Sequence, residues 1–157
     1  MTDDHWLDEA IRLAYENVRH GGRPFGALLL REGRILATGV DHTLQDSDPT
    51  AHAELLALRA ACRELGTLTL PGTLLAASCE PCALCQAAAL LAGVPRCIYA
   101  AEQAQALVSG ADPGTLTRHL AMPPAQRPLS LEYRPLALAR VPLDAWHMRQ
   151  QKGLAKP

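Results

Sequence analysis

Asp48-Pro49-Thr50-Ala51-His52-Ala53-Glu54 and Ser78-Cys79-Glu80-Pro81-Cys82-Ala83-Leu84-Cys85 are the two stretches on which the reading of this chain turns. Each passes from turn residues into an apolar, helix-like pattern. Asp48 can cap and Pro49 suits a first turn, so one helix is predicted from Asp48 or Thr50 to Gly66. A second is predicted from near Pro81 to Gly93. His52, Cys82 and Cys85 then sit at helix ends, and one nitrogen with two sulfurs fills three of the four positions zinc prefers. The fourth is left for water, as in a catalytic rather than a structural site, and Glu54 stays unliganded to move protons. Cys82 and Cys85, three apart, share a helix face, whereas His52 and Glu54 lie about 200° apart around a helix and so take separate jobs.

Each element alone has an ordinary explanation. A lone histidine near a helix start is usually a surface residue, and a lone Cys-x-x-Cys is often redox-active or incidental. Their joint occurrence is what points to metal. Cys79, Cys82 and Cys85 also match the first three ligands of an iron-sulfur run, but Ala89 stands at the fourth position. Cys62 and Cys97 read as small core residues.

Around these segments the pattern alternates between helix and strand. Asp3 to His20 spaces Leu7, Ala10, Ile11, Ala14 and Val18 as one amphipathic helix. Phe25 to Leu30 and Arg34 to Val40 read as a hairpin turning at Glu32-Gly33. Thr73 to Ser78, Cys97 to Ala101 and Leu129 to Tyr133 are further strands, and Asp112-Pro113 can start a short helix. The expectation is an α/β fold, a three-layer α/β/α sandwich on a five-stranded mixed sheet. At 157 residues the chain is expected to form one domain, 1–157, with residues 141–157 a C-terminal helix or tail.

The acidic N-terminus (Asp3, Asp4, Asp8, Glu9) does not read as a secretory signal, and the apolar run Ala87 to Ala92 is too short to cross a bilayer. A cytoplasmic protein with reduced thiols is expected. A net charge of −1 and 4% aromatic residues argue against a chain built mainly to grip nucleic acid. The charge is uneven, however: residues 1–117 carry 8 basic and 14 acidic side chains, residues 118–157 carry 7 and 2.

These motifs, with Pro24-Phe25-Gly26-Ala27, Tyr99-Ala100-Ala101-Glu102 and Ala145-Trp146, make the chain similar to the cytidine deaminase-like superfamily, and within it to the guanine deaminase branch. The resemblance implies one zinc ion per chain on His52, Cys82 and Cys85, and Glu54 as the catalytic proton carrier. It implies hydrolytic release of ammonia from a small heterocyclic amine, a nucleobase-like ring. Phe25, Asp41, Ala53 and Asp112 fall at substrate-binding positions. Where the family has a base-binding asparagine this chain has Asp41, and an acceptor-only carboxylate there calls for N–H on the ligand, so the ring is expected not to be guanine itself. Asp112 either replaces a substrate-contacting aspartate or caps a helix. Leu91 and Leu154 stand where the family places lid aromatics. A homodimer is implied, with the C-terminal segment, bearing Leu143, Ala145, Trp146 and Met148, packing on the partner. Two other readings remain: a tRNA adenosine deaminase, supported only by the basic C-terminal segment, and a non-catalytic zinc-stabilised module, which has no use for Glu54.

Overall fold

The computed structural model describes residues 2–153. Helix α1 (Asp3–Arg19) leads into strands β1 (Gly26–Arg31) and β2 (Arg34–Val40), followed by the single turn α2 (Thr43–Asp46) and helix α3 (Ala53–Leu65). Then come β3 (Thr73–Cys79), α4 (Ala83–Leu91), β4 (Arg96–Ala101), α5 (Gln103–Val108) and α6 (Gly114–Ala121). The chain divides after residue 122 into two compact units.

In the first unit the sheet runs β2-β1-β3-β4, with β3 and β4 parallel and the other pairs antiparallel. The hairpin forms where expected. Glu32 (φ 51°) and Gly33 (φ 70°) are both left-handed, the conformation that lets a two-residue turn follow the twist of its strands. β1 lies inside the sheet and is apolar without interruption, because both of its faces are covered. Successive side chains point to opposite faces. Ala27 and Leu29, with Leu75 of β3, pack against Ala57, Leu58 and Ala61 of α3 and Ala89 of α4. Leu28 and Leu30, with Ala76, pack against Trp6 and Ala10 of α1. The unit is therefore layered, with α1 on one side of the sheet and α3 and α4 on the other.

Close approach of β2 to α3 depends on Gly39. A Cβ there would lie 2.0 Å from the Ala53 carbonyl oxygen and 2.8 Å from the Ala57 nitrogen. Helix α3 begins at Ala53, not at Asp48 or Thr50. Asp48 does cap, but what it caps is a turn: its Oδ1 accepts the Thr50 N–H (2.8 Å) and the Thr50 hydroxyl (2.7 Å). The helix ends as predicted at Gly66, in the left-handed conformation.

The sheet has four strands, not five. Leu129–Tyr133, the predicted fifth, forms no strand and lies in the second unit. It has the alternation of a strand, but Pro128 and Pro135 bracket it, and alternation without a neighbouring edge pairs no backbone groups. The described part of this unit holds two 3₁₀ turns, Pro124–Gln126 and Ala137–Arg140, and helix α7 (Val141–Gln151). Leu154 lies outside the described residues. Among the described residues no helix is long and apolar enough to cross a membrane.

Candidate active site

His52 and Cys82 occupy equivalent places: each is the residue that caps the N-terminus of its helix, α3 and α4, in extended conformation, and neither side chain caps its own helix. Both are thereby free to face each other across the first unit. His52 Nδ1 stands 3.5 Å from Cys82 Sγ and 3.5 Å from Cys85 Sγ, and the two sulfurs are 3.8 Å apart. An ion bound tetrahedrally at ~2.3 Å to sulfur and ~2.0 Å to nitrogen separates its ligands by ~3.8 Å for S···S and ~3.5 Å for S···N. The three donors thus fit zinc in both chemistry and spacing, and among the described residues they form the one such cluster of histidine, cysteine and carboxylate ligands.

The surroundings sort the two thiols. The hydrogen bond with Cys85 and then the nearby His52 imidazole draw the Cys82 thiol down to about 4, while the same pairing and burial push Cys85 upward. His52 is raised, chiefly by its hydrogen bond with Cys82. Glu54, in the first turn of α3, is buried, and its Oε2 lies 3.4 Å from Cys85 Sγ. Loss of hydration holds its carboxyl above the usual range.

A cavity of about 360 Å³ opens over this cluster and is lined by Phe25, Asp41, His52, Glu54, Glu80, Cys82 and Asp112, together with Arg23, Pro49, Leu84, Pro113, Thr115, Leu116 and His119. The structure thus brings together all the expected site residues but one. Ala53 is buried in the core beneath α3 and is not part of the lining. Leu91 is also elsewhere, in an apolar groove of about 470 Å³ bordered by Leu55, Leu58 and Cys62. Cys97, read as a core residue, is exposed on β4.

Asp112 caps α6 while touching the cavity. Its Oδ1 accepts the Gly114 N–H (2.9 Å), and its Oδ2 accepts the Thr115 hydroxyl and the Arg118 guanidinium (2.7 Å). Arg118 first, then Thr115, hold its carboxyl at about 2.

Several supporting residues escaped the sequence reading because they act through one or two hydrogen bonds to backbone groups distant in the chain. Asn17, buried on α1, donates from Nδ2 to the carbonyls of Arg23 and Asp41, both at 2.8 Å, and so ties the entry of β1 to the exit of β2. Gly22 makes room for this amide, since a Cβ there would lie 2.3 Å from Asn17 Nδ2. His42 N–H donates to Ala51 O (2.9 Å), bringing the strand exit against the segment before His52. The Pro81 carbonyl, just ahead of Cys82, accepts from the side-chain amides of Gln86 and Gln103 at 2.7 and 3.0 Å. The Thr117 hydroxyl accepts the Ala83 N–H at the start of α4 (3.0 Å). A polar residue buried on an otherwise amphipathic helix, as Asn17 is, was the one signal available.

The cytidine and deoxycytidylate deaminase zinc-binding region, as a family model, matches residues 1–101. The chain belongs to this deaminase family. It is 36% identical over 147 residues to the guanine deaminase of Bacillus subtilis, covering 93% of this chain and 94% of that protein. The crystal structure of the Bacillus subtilis enzyme superposes with a TM-score of 0.88 over 94% of this chain and 95% of that one. A tRNA(Ile)-lysidine synthase of Deinococcus deserti is 39% identical over 155 residues, 98% of this chain but 28% of that protein. The tRNA-specific adenosine deaminase of Aquifex aeolicus is 37% identical over 101 residues, 64% of this chain and 67% of that protein. The chain is a homologue of guanine deaminase, a zinc-dependent hydrolytic deaminase with the α/β fold of its family.

Proposed function

We propose that this deaminase removes an exocyclic amine, as ammonia, from a small nucleobase-like heterocycle bound in the cavity over His52, Cys82 and Cys85. The observation that carries the proposal is Glu54: a buried carboxylate beside the three ligand atoms and on the cavity wall, with no ion pair among the described residues to account for it. His52, Cys82 and Cys85 would hold the zinc ion, which would supply an acidified water and Lewis-acid stabilisation of the charge that develops during its addition. Glu54 carries one proton of the attacking water to the ring nitrogen and then the second to the departing amine. Water adds its oxygen to the carbon as the C–N bond breaks, so ring N=C–NH₂ and H₂O become ring HN–C=O and NH₃. Phe25 offers a ring face to the heterocycle, and Asp41 and Asp112 border it.

The same reading places the chain in the cytoplasm, consistent with five free cysteines. Residues 1–157 act as one deaminase domain that pairs with a second copy. Its support is the run of exposed apolar residues Leu136, Leu138, Leu143, Trp146 and Met148 near the C-terminus, more than a solvated tail normally carries.

The test is ammonia release by the zinc-loaded chain across guanine, adenine, cytosine, isocytosine, ammeline and pterins, with Glu54→Gln beside it. The expected outcome is turnover of one ring class that falls by about 10²- to 10⁴-fold in Glu54→Gln while zinc stays at one per chain. Turnover indifferent to Glu54, or none on any ring, would count against the proposal. A tRNA substrate is the second reading, favoured by the match along 98% of this chain to a tRNA(Ile)-lysidine synthase. Retention of tRNA that weakens steeply with added salt would move the assignment there.

A further inference from the structure

We infer that Asp41 reads the substrate as a hydrogen-bond acceptor: the heterocycle offers it an N–H in addition to the amine that leaves. This rests on the deaminase reading and names the substrate class within it. Asp41 is 2% exposed and yet lines the cavity. Its Oδ1 is committed, accepting the Thr43 N–H at 3.1 Å and the Thr43 hydroxyl at 2.5 Å. Among the described residues nothing donates to Oδ2. The backbone of Asp41 is pinned as well: its N–H donates to Phe25 O (3.0 Å) and its carbonyl accepts from Asn17 Nδ2 (2.8 Å).

These contacts decide which way the group faces. Turning Oδ2 away from the cavity would give up both Thr43 bonds, so the carboxylate presents one fixed acceptor and no donor. Asp112 is held in place by α6, Oδ1 accepting the Gly114 N–H and Oδ2 the Thr115 hydroxyl and the Arg118 guanidinium, and it too can only accept. A ring nitrogen lone pair or carbonyl oxygen against Oδ2 sets acceptor against acceptor. An N–H there gains a charge-assisted bond to a buried carboxylate. The substrate is therefore an amino-heterocycle with a further ring or exocyclic N–H on the edge facing Asp41.

Asp41→Asn isolates the point. Its oxygen can keep both Thr43 bonds while an NH₂ replaces Oδ2, so the cavity meets a donor in place of an acceptor. Binding is measured by calorimetry on the full zinc-loaded chain carrying Glu54→Ala to stop turnover, with Asp41 or with Asp41→Asn. The probes are two matched pairs, guanine with 2,6-diaminopurine and isocytosine with 2,4-diaminopyrimidine. Within each pair, exchanging carbonyl for amine swaps donor and acceptor along one edge.

The Asp41 chain is expected to favour one member of a pair by ~10- to 100-fold, and Asp41→Asn to reverse that preference. Equal weakening of both members, an unchanged ranking, or no binding of any probe by the Asp41 chain would overturn the inference. Should Asp41→Asn melt early, Thr43→Val serves in its place: with Oδ1 partly released, discrimination should shrink without reversing, and undiminished discrimination would again overturn it. Ammonia release by the chain with native Glu54 is scored separately. Reversal of binding without ammonia removes the deaminase reading and keeps the role of Asp41; ammonia without reversal does the opposite.

Discussion

Glu54 and Asp112 are both carboxylates on the cavity wall, and their partners give them opposite characters. Burial raises the Glu54 carboxyl, the direction that suits the proton-carrying role proposed for it. Asp112 is held at about 2, against 3.8 for a free aspartate, by Arg118, Thr115 and Gly114. Depression of a folded-state pKa means stability that is complete above the unfolded value and lost as pH falls through the folded one. Asp112→Asn should therefore destabilise the chain by a constant amount from pH 8 to about 5, and by less and less below about 4. Urea midpoints of the two chains across that range would check this. A difference that persists undiminished toward pH 2 would mean that Asp112 acts through shape rather than charge.

Elements bring these residues together, and the tightest junction is that of β2 with α3. Gly39→Ala would press a methyl into the Ala53 carbonyl, which is backbone and has no rotamer to give. We expect a loss of about 3 kcal/mol, read as a lower urea midpoint with an unchanged slope, and weaker zinc retention because His52 rides on the same junction. An unaltered midpoint would show that α3 can shift without cost. How far such junctions were legible in the sequence follows from what each signal measures. The hairpin at Glu32-Gly33, the ends at Gly66 and the ligand set are local chemistry, and they emerged directly. The start of α3 was misplaced because Asp48 bonds Thr50 in a turn, using the same capping chemistry one turn too early. The fifth strand failed because a strand exists only where a partner edge accepts it, and Leu129–Tyr133 carries alternation without such an edge. Gln103 and Thr117 could not be singled out at all: each side chain makes one hydrogen bond to a distant backbone group, and nothing in a polar residue type says which backbone group it will find.

At the scale of the whole molecule, the two units differ in kind. Every buried apolar residue among the described ones lies between Trp6 and Ala106, and the zinc cluster and cavity lie wholly in the first unit. Residues 1–122 carry 9 basic and 14 acidic side chains, residues 123–157 carry 6 and 2. An acidic body with its own core and a basic segment rich in exposed apolar residues are complementary surfaces, the condition for one copy's segment to dock on another copy. A chain ending at Met122 should accordingly keep its fold and its zinc while losing self-association. Trp6 is then its one tryptophan, buried between α1 and the sheet, so its fluorescence reports the core alone. The expected result is a cooperative Trp6 transition near that of the full chain, one zinc per chain, and a sedimenting mass about two fifths that of the paired full protein, 122 residues against two copies of 157, with the pairing of the full chain weakening as salt rises. Loss of the Trp6 transition would mean that the C-terminal segment completes the core of its own copy; an unchanged state of association would place the pairing surface in the first unit, where the apolar groove beside Leu91 would be the place to look.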